Sequence, residues 1–209
     1  MSASDRGARA RGSLMGNRGC LHDKAGQIKR PMRLVTWIYC LLEFRGRKRN
    51  VMSPGKYTEL FFLDEATALA AGHRPCAECQ RARYNEYMKF WSAANAKMVP
   101  GEKLRAGMVD AMLHSERFGA GGKKLGYRAR LGELPVGCFV ELDDTPGQAW
   151  LVVDSGERVG VRVWGAGGYG ERVRVGAEKK VTVLTPRSTV RAVRAGFEPR
   201  LTQAALSTG

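Results

Sequence analysis

Two cysteines separated by two residues, in "GHRPCAEC" at 72–79, limit what this chain can become more than any other stretch. A CxxC pair directs both sulfurs at one point only where the backbone turns between them. Pro75 and the start of a following helix supply that turn. Thiolates hold Zn2+ at about 2.3 Å in tetrahedral sites, and structural sites close with four ligands. Cys76 and Cys79 are therefore half of a centre whose other half must come from distant segments. A reduced or redox-active thiol pair is the alternative use of the same spacing.

The candidates for the remaining positions are Cys20, Cys40, Cys138, His22, His73 and His114. "LVTWIYCLLEF" (34–44), with its β-branched and aromatic residues, predicts a buried strand carrying Cys40. Pairing of that strand beside a second one, "YTELFFL" (57–63), would bring Cys40 near the CxxC turn. Cys20, or His22 in its place, lies in the glycine-rich segment "GNRGCLHD" (16–23), able to reach inward as the fourth ligand. Cys138 reads as a small buried hydrophobe, and His73, before a proline, as support for the turn. Five cysteines in a chain of cytoplasmic type argue against a disulfide framework.

The order of elements predicts an α+β protein. Residues 1–13 are small, polar and arginine-rich and read as a loose tail. A zinc module follows over 14–95, where Asp64 caps a short helix "EATALAA" that Gly72 ends. A longer helix from about Ala77 to Asn95 carries Tyr84, Tyr87, Met88 and Trp91 on one face, a stripe that reads as core. Residues 96–128 form a connector with a Pro-Gly break, a helix over 104–118 and a flexible basic loop. From 129 to 209, short strands separated by Gly, Pro and Asp predict a small antiparallel sheet or barrel. A last helix, "STVRAVRAG", is capped by Ser188 and stopped by Gly196.

Against 20 Asp and Glu stand 35 Lys and Arg, a net charge of +15, which makes polyanions the expected partner class. No apolar run approaches the roughly 18 residues that span a bilayer, and no apolar core of a signal peptide opens the chain, so a membrane partner is not expected. Between residues 29 and 56 the basic residues are Lys29, Arg30, Arg33, Arg45, Arg47, Lys48, Arg49 and Lys56, with Glu43 the one acid. With Arg18 they form the predicted nucleic-acid-binding set. Such groups displace counterions from phosphates and position a protein without reading bases.

"FFLDEATALAAGHRPCAEC" resembles the zinc domain of the Ada-type alkylation-repair proteins of bacteria, in which an FF strand, an Ala-rich helix, Ala-Gly and Arg-Pro-Cys-x-x-Cys follow at the same spacing. "WIYC" is similar to that family's "IYC" segment, whose cysteine binds zinc and accepts a methyl group from DNA phosphotriesters. The resemblance covers residues 36–82 and implies Cys40 as ligand and acceptor, with Cys76 and Cys79 as the last two ligands. The family has a second cysteine four residues after the first. Here that position is Phe44, and the basic loop after it is longer.

Other groups suit chemistry on paper. His22 and Asp23, beside Asn17 and Arg18, would serve a nuclease or glycosylase as base and phosphate contact, or simply bond to turn backbone. Asp110 and His114 are four apart on a helix, the spacing of a surface hydrogen bond. Trp164 and Tyr169 flank a glycine hairpin, where aromatics stack on unpaired bases or, more simply, pack a small sheet. No Walker loop, HExxH or GxSxG occurs. The expected function is DNA binding, in repair or modification sensing, with zinc as a structural ion. The rivals are methyl transfer to Cys40, hydrolysis at the His22–Asp23 loop, and an RNA or ribosome contact.

Overall fold

The computed structural model describes residues 10–47, 50–98, 104–119 and 123–207. Most of the expected N-terminal tail, Lys48, Arg49, the Pro-Gly break and the tip of the basic loop lie outside these residues. The described chain is α+β, with two sheets and five α-helices among its elements.

The first sheet has the order β3-β1-β2-β4, built from Leu14–Asn17 (β1), Ile38–Leu41 (β2), Leu60–Phe62 (β3) and Arg74–Pro75 (β4). β1 pairs antiparallel with both β2 and β3, so Met15 lies opposite Cys40 on one side and Phe61 on the other. The strand of Cys40 therefore does not pair with the one ending at Leu63, as the sequence suggested. A short strand of turn-like residues intervenes. Gly16 makes that possible, because a Cβ there would lie 2.3 Å from the Phe62 ring and 3.1 Å from His73 Nε2. The predicted 34–44 strand is also shorter than expected. Leu34 and Val35 before it, and Leu42 after it, are exposed.

α1 (Glu65–Ala70) is specified locally. Asp64 Oδ1 accepts from the Thr67 main chain and the Thr67 hydroxyl accepts from the Asp64 main chain, a complete capping box. At the other end Gly72, at φ +82°, donates to Leu69 O and His73 donates to Ala68 O. This pair of bonds is the Schellman stop.

α2 (Arg81–Asn95) begins four residues after the predicted start, because Cys76–Gln80 is turn. Tyr87 and Trp91 of its aromatic stripe are fully buried, in a core with Leu14, Tyr39, Leu69 and residues of α3 (Ala106–Arg117) and α4 (Arg187–Arg194). Ser188 does not cap α4. It lies inside the helix, and Glu116 of α3 accepts from both its main-chain N–H and its hydroxyl. The carboxylate thus sits where an N-terminus favours negative charge.

The second sheet, wholly antiparallel, has the order β5-β10-β6-β7-β8-β9 over Tyr127–Arg130, Lys180–Val183, Phe139–Glu141, Ala149–Val152, Arg158–Gly165 and Gly168–Gly176. Its valines and leucines, with Cys138, form a second core. A register shift between Arg162 and Trp164 marks a bulge, the irregularity that re-aims side chains. α5 (Gln203–Leu206) packs near the chain end, with Ala205 buried. Among the described residues no helix is long and apolar enough to cross a membrane.

Candidate metal centre

The centre is assembled by β4. After the stop at Gly72 the chain runs parallel to β2, with Ile38 opposite Arg74 and Tyr39 opposite Pro75. Cys76 N–H donates to Tyr39 O at 3.0 Å, which carries Cys76 one step along the ladder to Cys40. The Cys76–Gln80 turn then closes with Gln80 N–H on Cys76 O and the Gln80 side-chain amide on Tyr39 O, returning Cys79 to the same point. Proline is tolerated in β4 because this is an edge strand.

The Sγ atoms of Cys40, Cys76 and Cys79 lie within 4.8 Å of one another. Sulfurs on a tetrahedral zinc at the usual bond length are about 3.8 Å apart, so the trio fits three corners of such a site. Met15, Ile38 and Tyr57 pack around it. Cys40 and Cys76 are buried, while Cys79 is partly open. All five cysteines are free thiols.

The environment already favours one thiolate. The Cys40 thiol, hydrogen-bonded to Cys76, and the main-chain N–H groups of Cys79 and Glu78 draw Cys76 down to about 5 against the effect of burial. Cys40 is correspondingly pushed up, by that hydrogen bond and then by desolvation. Cys79 is raised chiefly by desolvation. Glu78 N–H points at Cys76 Sγ, 3.4 Å away. Outside, Arg47 forms an ion pair with Glu78, and Cys79 and Cys76 add to the field that holds its charge.

The other candidate ligands are placed elsewhere. Among the described residues the cluster contains the three cysteines alone. Cys20 donates its thiol to His22 O at 3.6 Å. His22 is buried, its Nδ1 on the Thr58 hydroxyl and its Nε2 toward Ser53 O at 3.3 Å. Leu21 N–H also donates to that hydroxyl. Asp23 accepts from the main chains of Ala25 and Gln27 and pairs with Lys29. In this arrangement both residues hold their turn. Cys138 is fully buried in the second sheet, raised to about 12 by burial. His73, also fully buried, accepts from Arg18 Nε at 3.3 Å.

Asp110 is not paired with His114. It receives two hydrogen bonds of 2.8 Å from Arg74, and both partners are buried. This bridge ties the strand just ahead of Cys76 to α3, a link that no local pattern announced. Of the predicted basic set, Lys29, Arg30, Arg33, Arg45, Arg47 and Lys56 are exposed, whereas Arg18 is half-buried. Trp164 is exposed at 41%, and Tyr169 instead donates to Asp64 and stacks on Phe139.

The chain matches no family model, no curated protein and no solved structure.

Proposed function

We propose that this chain is a zinc-containing nucleic-acid-binding protein, in which the ion clips β2 to the β4–α2 turn and the exposed cations beside it contact phosphates. The observation that carries the reading is the convergence of Cys40, Cys76 and Cys79, with Arg45 and Arg47 exposed on the segment that leaves Cys40. When bound, zinc would supply a fixed positive charge that keeps the sulfurs as thiolates. The chain's own part is to aim the three sulfurs, hold Cys76 with main-chain N–H groups, and shield the site with Met15, Ile38 and Tyr57.

DNA is the expected polyanion, with the Ada-type motif and the net charge of +15 supporting the choice. Fluorescence anisotropy with duplex DNA should give affinity that falls roughly 10²–10³-fold between 50 and 200 mM salt, the slope for about four to six phosphate contacts. The Arg45→Ala/Arg47→Ala double variant should bind more weakly and with a shallower slope. Competition by RNA at matched salt tests the polymer. Salt-independent binding, or none, would remove the proposal.

A further inference from the structure

A separate cavity of about 320 Å³ opens between the two sheets, at the end of β2 away from Cys40. Its volume is at the lower end of the range of roughly 300–1,000 Å³ usual for small-molecule sites. Its walls are aromatic: Trp37, Phe61, Phe62, Phe118, Phe139 and Trp164. Phe61 and Trp164 are exposed at 53% and 41%, a pair of large rings left open to solvent.

Among the described residues three cations, Arg18, Arg117 and Lys124, share this lining, and no carboxylate is part of it. Arg18 and Arg117 cover the buried Trp37 ring, at 3.9 and 4.3 Å from its centroid. Arg117 is held by the main-chain oxygens of Gly72 and Val35. Lys124 reaches from an exposed stem to the main-chain oxygens of Ala70 and Leu184, each at 3.0 Å. Arg18 gives Nε–H to a neutral histidine, and among the described residues neither of its Nη atoms has a protein acceptor. Desolvation lowers Arg18 and Arg117 to about 10, which leaves both charged at neutral pH.

Asp110 offsets part of the Arg117 charge but is already paired with Arg74. The excess of positive charge over the lining calls for an anion, and three cations suit a phosphate dianion better than a single carboxylate. Aromatic faces beside them call for a planar ring. We propose that this pocket binds one nucleotide unit, its base on the aromatic wall and rim and its phosphate on Arg18 with Lys124. The unit comes either as a free mononucleotide or as an unpaired residue of a strand. The strand source rests on the nucleic-acid reading above, but the pocket itself does not depend on it or on the metal.

The test titrates the full chain with 5′-mononucleotides, the matching nucleosides and inorganic phosphate, by tryptophan quenching and equilibrium dialysis. Single-stranded and duplex oligonucleotides are run in parallel. Mononucleotides should bind at least tenfold more tightly than nucleosides, and Arg18→Gln should remove that difference. Trp164→Ala and Phe61→Ala, both at the rim and each able to fold if Arg18→Gln does not, should weaken binding roughly five- to hundredfold, the effect of losing one stacking partner. Weakened single-strand binding in these variants, with duplex binding kept, identifies the strand as source. An effect confined to mononucleotides identifies the free ligand. If mononucleotides bind while no polynucleotide does, the nucleic-acid function falls and the pocket stands. Equal binding of nucleotide and nucleoside, no binding of either, or rim variants that bind like the parent chain would overturn the pocket.

Discussion

Replacing Cys40 or Cys76 by serine removes one of three converging sulfurs. Zinc content, measured on purified protein by elemental analysis, should fall from about one ion per chain to well below half. Cys20→Ser should leave it unchanged, because Cys20 bonds to His22 O and lies outside the cluster. His22 offers a sharper contrast between chemistry and structure. Its ring joins Thr58 and Ser53 within a buried turn. His22→Ala should therefore lower stability by about 1–3 kcal/mol in denaturant melts, the cost of stranding a buried partner. Zinc content and nucleic-acid affinity should be kept. Loss of a cleavage activity at full stability would contradict that role. At this scale the sequence named the three clustered cysteines, with Cys20 as a fourth that lies outside the cluster, and did not name Thr58 as the partner of His22, because a hydrogen bond across 36 positions has no local signature.

The elements were most legible where the backbone itself is the constraint. α1 has its cap and its stop in the sequence, Asp64 and Gly72, and both act as their residue types require. Gly72→Ala forces φ +82° on a residue with a Cβ, and sets that Cβ 2.8 Å from Arg117 Nε and 2.9 Å from its Cγ. The expected loss is about 2–3 kcal/mol in thermal or chemical unfolding. Metal affinity should weaken too, since the stop launches β4 along β2. β1 and β4 were not legible. One contains Gly16 and Asn17, residues of turns, and the other is two residues long with a proline. Neither has a period to read, and their pairing energy comes from strands found elsewhere in the chain. α4 was legible as a helix stopped by Gly196, but its N-terminus is satisfied by Glu116 rather than capped by its own Ser188.

Across the whole molecule, the Arg74–Asp110 bridge joins β4, which leads into Cys76, to α3, and α3 packs with α4 of the last quarter of the chain. Asp110→Ala leaves a buried guanidinium without its carboxylate, and the expected cost is about 3–5 kcal/mol. Equilibrium unfolding checks it, and a cost below 1 kcal/mol would mean that water reaches the bridge. By itself the sequence determined the α+β class, the charge, the helix with its cap and stop, and the CxxC turn. Each of these follows from the conformational preference or spacing of neighbouring residues. Only the tertiary structure decided that Cys40 meets the pair through β4, and that Arg18, Arg117 and Lys124 come together under aromatic walls. Sulfurs and cations drawn from separate segments converge through sheet order and helix packing, and those are set by how apolar faces bury one another across the chain rather than by any residue's neighbours.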